Sequence, residues 1–110
     1  MDAILAVTMG DINGVGPEII AKAFTDSTLY RAATPLVLGC VEAYKMACRE
    51  TGTGVPPVLV DSVDEARTVE NGLPFLRTDI VVPERQPGEL SADAGRCAMQ
   101  WLDIAIELAT

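Results

Sequence analysis

The chain has 110 residues, and its 16 acidic and 8 basic side chains give a formal net charge of −8. This length suits one domain, and an apolar share of 49% is too high for a disordered chain. The uncharged apolar runs are too short to span a bilayer, and the negative charge disfavours binding to nucleic-acid phosphates. Because the chain has no histidine, it supplies neither a histidine base nor a histidine metal ligand. We expect an acidic, cytoplasmic globular domain.

The three cysteines, Cys40, Cys48 and Cys97, are widely spaced and include no Cys-x-x-Cys pair. Their number and spacing indicate neither a disulfide framework nor a zinc site. Cys48 and Cys97 fall within apolar helical patterns, where a thiol most often acts as a small buried hydrophobe. The start of the chain has no basic segment before its apolar run, so we predict no signal peptide.

Short apolar runs bounded by glycine, proline or polar residues predict four strands. These runs cover residues 4–8, 35–39, 58–60 and 79–83. The first run is nearly continuous, which is typical of a strand buried on both faces of a parallel sheet.

Apolar residues at helical spacing, together with end signals, predict four helices between and after these strands. Their starts are marked by Pro17, by Val41, by the capping pair Ser62 and Glu65, and by Ser91. The first three end near Asp26-Ser27, at Gly52 and at Asn71-Gly72. Strands alternating with helices indicate a three-layer α/β/α fold with a mostly parallel sheet.

The last helix continues to Thr110 without a C-terminal signal. In an alternating fold a closing helix normally leads into another strand. We therefore expect residues 1–110 to be the N-terminal part of one α/β domain, with the rest of that domain and a second domain absent. A small complete domain that ends in a helix is the alternative.

The stretch that can carry chemistry is the glycine-rich turn between the first strand and the first helix, GDINGVGPE at residues 10–18. Ligands bind at the carboxyl ends of strands in open α/β sheets, and Gly14 and Gly16 let a ligand approach the backbone. Glu18, however, places a negative charge near the helix start and disfavours direct phosphate binding. The stretch matches neither the dinucleotide fingerprint nor a Walker loop, so a structural turn and a ligand loop both stay open. Asp11 either caps the turn or faces a cleft.

Two motifs resemble the 4-hydroxythreonine-4-phosphate dehydrogenase family. The stretch TMGDINGVGPE at residues 8–18 is similar to its N-terminal signature, commonly GDPAGIGPE, and PGELSADAGR at residues 87–96 resembles a later motif. The strand at residues 35–39 is similar as well. Isopropylmalate and isocitrate dehydrogenases share this fold and have a related turn. Ile12-Asn13 stands here in place of Pro-Ala, and losing the proline frees the backbone of the turn.

The resemblance implies an isopropylmalate dehydrogenase-like fold and an oxidoreductase, homodimeric in its full-length form. Such an enzyme uses NAD or NADP to oxidise and decarboxylate a phosphorylated hydroxy acid, such as 4-phosphohydroxy-L-threonine in pyridoxine biosynthesis. It also implies a divalent metal held by histidines that lie outside this chain. We therefore expect the chain alone to contain no catalytic residue or metal ligand, to bind neither cofactor nor metal, and to be inactive.

The resemblance also assigns candidate roles within the turn. In the related isopropylmalate dehydrogenases the branched residue between two glycines lies beside the cofactor. The matching position is Val15, flanked by Gly14 and Gly16. Gly10 and Asp11 would shape the loop without taking part in the chemistry.

Three alternatives stay open. The first is a dehydrogenase of the same family that acts on a dicarboxylated cyclic dihydrodiol or a phosphorylated sugar acid, since the pocket that discriminates between substrates is expected outside this chain. The second is a non-catalytic acidic binding module, such as a receiver-like domain with Asp61 after a strand. A receiver domain needs an acidic pair after its first strand and a lysine after its last strand. This sequence has neither, since Lys45 is its last lysine. The exposed edge of an unfinished sheet would also allow pairing with another copy.

Overall fold

The computed structural model describes residues 3–24 and 33–109, which form a parallel β-sheet with helices on both faces. The strands are β1 (Ile4–Thr8), β2 (Thr34–Leu38), β3 (Pro57–Val60) and β4 (Leu73–Leu76). The helices are α1 (Gly16–Ala23), α2 (Val41–Thr51), α3 (Val63–Ala66) and α4 (Ala92–Ala109). This alternating, parallel arrangement confirms the predicted α/β fold class.

The sheet has the strand order β1-β2-β4-β3, so β1 and β3 are its edges in the described part of the chain. β1 pairs with β2 along its whole length, from Ile4 opposite Thr34 to Thr8 opposite Leu38. Because all pairs are parallel, the four strands end at one edge of the sheet. The residues that follow β1 and β2 lie at this carboxyl edge, where open α/β sheets bind ligands.

One face of the sheet packs on α1 and α2. Val37 and Phe75 of the central strands join Ile20 of α1 and Tyr44 of α2 in one buried cluster. The rings of Tyr44 and Phe75 lie 5.1 Å apart between centroids and are tilted by 57°, a geometry that favours aromatic pairs. This packing fixes α1, and with it the turn at its N-terminus, against the sheet.

The opposite face carries α3 and α4. Leu36 and Val60 pack on Ala66 of α3 in a second buried cluster, and α4 contacts β1 and β2. Trp101 of α4 is one of the largest fully buried side chains, and it belongs to the larger cluster that holds Val37 and Phe75. Helices on both faces complete the three-layer arrangement that the alternation of elements predicts.

β4 is a strand that the sequence patterns did not predict. It contains Pro74, which has no amide hydrogen and usually marks the end of a strand. The amides of Leu73 and Arg77 donate to carbonyls on the β3 side at 2.8 Å, so Pro74 between them faces β2. The pairing of β2 with β4 is a single residue pair, Val37 and Phe75. The proline is tolerated because it lies where the ladder is short.

The strand predicted at residues 79–83 is wrong, because this segment has no strand partner in the described part of the chain. Ile80 and Val82 pack on the large buried cluster, whereas Val81 between them is 90% exposed. The carbonyl oxygen of Val81 accepts a hydrogen bond from the Cys97 thiol at 3.4 Å instead of joining a ladder. The alternating pattern therefore identified an extended segment that packs on α4 without pairing.

The prediction that β1 is buried on both faces is also wrong. Leu5 is 51% exposed, and Ala6 is exposed as well. β1 is an edge strand here, and the buried cluster over α1 and α2 centres on the two middle strands.

Local end signals place several helix termini correctly. Gly52 adopts a left-handed conformation with φ +66° at the end of α2, and its amide donates to the Cys48 carbonyl at 2.9 Å. The Ser62 hydroxyl accepts from the Glu65 amide, and the Ser91 hydroxyl accepts from the Ala94 amide, both at 3.2 Å. These contacts confirm the predicted C-terminal glycine and the two predicted serine caps.

Two helix ends differ from prediction. α3 ends at Ala66, well before Asn71-Gly72, because the amides of Arg67 and Thr68 already make turn-type bonds to residues three positions back. α1 ends at Ala23, and its predicted end near Asp26-Ser27 lies outside the described residues. No helix in residues 3–24 and 33–109 combines the length and apolarity needed to cross a membrane.

Candidate cofactor-binding turn

The turn between β1 and α1 begins at the carboxyl edge of the sheet. The Met9 amide donates to the Leu38 carbonyl of β2 at 3.0 Å, so the pairing of the two strands extends by one residue. The chain then leaves the sheet at Gly10, whose φ of +75° is a left-handed conformation that side chains disfavour. Gly10 therefore sets the direction in which the turn leaves the strand.

Asp11 closes the turn from within. Its carboxylate oxygen Oδ1 accepts from the Asn13 amide at 2.8 Å, and its carbonyl accepts from the Gly14 amide at 3.0 Å. A side chain that bonds the backbone two residues ahead stabilises a tight turn, as Asp commonly does. The carboxylate of Asp11 is thus used inside the turn.

Gly16 is required by close packing. A Cβ atom at this position would overlap the carbonyl oxygen of Met9. Gly39, which follows β2, is similarly restricted, because its Cβ would lie 2.6 Å from the Cβ of Met9. Gly14 is less restricted, since its Cβ would lie 3.3 Å from the Asp11 carbonyl oxygen. Met9 therefore brings the start of α1 and the end of β2 together, and this packing needs no ligand.

Val15 carries the exposed side chain of the turn, and Gly14 before it is exposed as well. It is the N-cap of α1, its carbonyl accepts from the Ile19 amide at 3.0 Å, and its side chain is 64% exposed. Ile19, one helical turn further on, is 58% exposed. These two apolar side chains form an exposed surface at the carboxyl edge, beside the backbone of Gly14.

Asn13 is a buried polar residue of the turn whose role no local sequence pattern indicates. It is 5% exposed, and its side-chain oxygen Oδ1 accepts from the Gln86 amide at 2.6 Å. Its carbonyl oxygen accepts from the Gly88 amide at 2.8 Å. Asn13 therefore joins the turn to a segment 73 positions later in the chain.

Arg85 belongs to the same junction, and no local sequence pattern indicates its role either. Its side chain is 1% exposed, and its Nε donates to the Ile12 carbonyl at 3.0 Å. The guanidinium also pairs with Glu50 of α2 at 3.0 Å and with Glu18 of α1 at 3.4 Å. A buried guanidinium needs such partners, because burying an unpaired charge is costly. The charge of Glu18, which disfavours anion binding at the helix start, therefore has a cationic partner.

An open cleft of about 240 Å³ lies at the same edge, between the ends of β2 and β4. Its lining includes Gly39, Cys40, Thr78 and Trp101. Cys97, on the same helix as Trp101, is buried, and its burial raises the pKa of the thiol above its ordinary value. This thiol stays protonated near neutral pH and is a poor nucleophile.

In residues 3–24 and 33–109, no three histidine, cysteine, aspartate or glutamate side chains come together in a group that could hold a metal ion. Asp61, which follows β3, forms an ion pair with Arg77 at 2.8 Å.

The chain is similar to known dehydrogenases. It is 31% identical over 106 residues to a D-threonate 4-phosphate dehydrogenase of Cupriavidus necator, a match that covers 96% of this chain and 32% of that protein. It is 35% identical over 107 residues to a 4-hydroxythreonine-4-phosphate dehydrogenase of Prosthecochloris aestuarii, covering 94% and 32% respectively. No protein-family profile matches the chain.

Solved structures give the same result. The crystal structure of a 4-hydroxythreonine-4-phosphate dehydrogenase from Burkholderia phymatum matches with a TM-score of 0.88 and 30% identity, over 99% of this chain and 33% of that one. The corresponding structure from Klebsiella pneumoniae matches with a TM-score of 0.79 and 29% identity, over 99% and 34%. The chain thus spans about a third of the length of these relatives. Sequence and structure together confirm the resemblance of this chain to the 4-hydroxythreonine-4-phosphate dehydrogenase family. The resemblance extends over about one third of the length of each relative.

Proposed function

We propose that this chain is part of a dehydrogenase that uses NAD or NADP and a divalent metal to oxidise a phosphorylated hydroxy acid, with decarboxylation. The preferred substrate class is that of 4-phosphohydroxy-L-threonine, which would place the enzyme in pyridoxal phosphate biosynthesis. The support is the match of this chain, over 94% to 99% of its length, to proteins named 4-hydroxythreonine-4-phosphate dehydrogenase. We also propose that the full-length enzyme is a cytoplasmic homodimer.

The turn is the part of this chain that we assign to the cofactor. We propose that Gly14, Val15 and Gly16 contact the nicotinamide cofactor, while Gly10 and Asp11 shape the turn. The observation that carries the assignment is the exposed apolar side chain of Val15 at the carboxyl edge of a parallel sheet. An apolar side chain fits the face of a planar ring, and the glycines on either side leave room for close approach.

The described residues provide no set of ligands that could hold the divalent metal. The chain has no histidine, and no three candidate ligands come together in its described part. The metal ligands and the groups that react with substrate are therefore proposed to come from outside this chain. The chain alone is expected to hold neither the metal nor the cofactor and to have no activity.

The alternative substrate is a phosphorylated sugar acid, D-threonate 4-phosphate. It is favoured by the Cupriavidus necator relative of that name, which matches 96% of this chain at 31% identity. Both substrates carry a phosphate and a secondary alcohol, and no described residue discriminates between them.

The test uses the full-length protein that contains this chain. It is assayed with each substrate, with NAD or NADP and with a divalent metal, and the absorbance of the reduced cofactor is followed. We expect reduction with one of the two substrates, loss of that reduction when a chelator removes the metal, and recovery when metal is added. Reduction with neither substrate under any of these conditions would contradict the proposal.

A further inference from the structure

We propose that Asn13 and Arg85 are positioning residues, which hold the turn in the conformation that receives the cofactor. This inference rests on the proposed function, because it concerns the same turn. It adds two residues that neither the family resemblance nor the motif of the turn assigns.

The geometry begins with three hydrogen bonds that join two consecutive turn residues to the segment at residues 85–88. The Ile12 carbonyl accepts from Arg85 Nε at 3.0 Å, and the Asn13 carbonyl accepts from the Gly88 amide at 2.8 Å. The third bond, from the Gln86 amide to Asn13 Oδ1, is 2.6 Å long. The middle of the turn is therefore held from outside.

These bonds constrain the backbone of a stretch that contains two glycines, in addition to the burial of the Ile12 side chain in the large cluster. Gly10 and Gly14 lie on either side of residues 12 and 13, and neither Ile12 nor Asn13 restricts its own backbone as a proline would. Without the bonds to residues 85–88, the turn would be ordered by the internal contacts of Asp11 and by the buried Ile12 side chain. A ligand that needs one conformation of the turn would then bind more weakly, in proportion to the population of that conformation.

Arg85 acts on both sides of Val15. Its Nε holds the carbonyl of Ile12, three residues before Val15, and its Nη2 pairs at 3.4 Å with Glu18, three residues after. The guanidinium is buried and has a further partner in Glu50 on α2, so it is itself firmly placed. One side chain thus sets the position of the exposed valine relative to two helices.

The experiment compares Asn13→Ala with Asn13→Asp in the full-length protein. Alanine removes the acceptor for the Gln86 amide, whereas aspartate keeps an oxygen acceptor at this place. We expect Asn13→Ala to raise the KM for the nicotinamide cofactor about tenfold, with kcat and the KM for substrate changed less than about twofold. Asn13→Asp keeps the acceptor but buries a carboxylate, so it should restore only part of the cofactor affinity.

Gln86→Pro provides a second variant, because it removes the same hydrogen bond without changing a residue of the turn. Gln86 is exposed, but a proline also restricts the backbone of the residue before it, the buried Arg85, so this variant acts on both contacts. We expect a rise in cofactor KM at least as large as that of Asn13→Ala. Arg67→Met is the matched control, since Arg67 is exposed at the end of α3 and its side chain pairs with the exposed Asp64. It should leave all three constants unchanged.

The outcomes separate this proposal from the one on which it rests. A fall in kcat or in melting temperature for Asn13→Ala and Gln86→Pro, with an unchanged cofactor KM, would show a merely structural role and overturn the positioning proposal alone. A wild-type protein that binds neither NAD nor NADP in a direct titration would overturn the proposed function, and the positioning role with it.

Discussion

At the scale of single residues, Gly16 is the turn residue whose identity is most tightly fixed. Its Cβ would overlap a backbone atom, the carbonyl oxygen of Met9, which cannot move without disturbing the pairing of β1 with β2. Gly95 in α4 is the opposite case, because a Cβ there would meet nothing within 4 Å. The two glycines therefore give a matched pair in which only the surroundings differ.

We predict that Gly16→Ala lowers the free energy of unfolding by about 3 kcal/mol, because the backbone must shift to make room. Gly95→Ala should raise it by about 0.5–1 kcal/mol, since alanine loses less backbone entropy in a helix. Urea denaturation of both variants measures the two changes. Equal effects of the two substitutions would contradict this account of the turn.

What the sequence reveals about the turn depends on how far apart the partners are. The two bonds that Asp11 makes lie within three residues, and the residue type indicates one of them. The roles of Asn13 and Arg85 depend on partners 73 positions away, and no local pattern encodes such a contact. The departure from Pro-Ala at residues 12 and 13 was the one available signal, but it indicated only a freer backbone.

At the scale of elements, Arg85 ties α1 to α2. Its guanidinium bridges Glu18 and Glu50, one on each helix, and both carboxylates are partly exposed, at 37% and 45%. After loss of the arginine these carboxylates would hydrate, but the buried carbonyl of Ile12 would lose its donor. The cost should therefore come mainly from that carbonyl and from the space left behind.

We predict that Arg85→Met lowers the free energy of unfolding by about 2–3 kcal/mol. Arg77→Met, which breaks an exposed ion pair with Asp61, should change it by less than about 0.5 kcal/mol. Chemical denaturation of the two variants under one set of conditions makes the comparison. A loss no larger for Arg85→Met than for Arg77→Met would show that the buried guanidinium does not join the helices.

Helix ends were predicted well where a local signal marks them. Strands were predicted poorly where pairing with a distant segment decides whether an extended segment is a strand. Gly52, Ser62 and Ser91 mark helix ends by bonds within a few residues. β4 was missed because Pro74 is untypical of a central strand, and residues 79–83 were assigned as a strand because they are extended and alternate. Whether an extended segment has a strand beside it is not encoded in the segment itself.

At the scale of the whole molecule, the alternation of strands and helices predicted a three-layer parallel fold, and the sheet order confirms its class. The same alternation places the glycine turn at the carboxyl edge, the position that makes it a candidate site. The burial of β1 was predicted less well, since Leu5 was expected to be buried and is 51% exposed. The chain spans about a third of the length of its relatives.

The contact between Val15 and the cofactor is the central claim, and methyl NMR of the full-length protein tests it most directly. With valine methyls labelled and Val15→Ile used for assignment, NAD or NADP is titrated in. We predict a shift of the Val15 methyl signals and Overhauser contacts between these methyls and the bound cofactor, while Val69, which packs in the cluster on the opposite face, stays unchanged. Saturable cofactor binding without any change at Val15 would contradict the account.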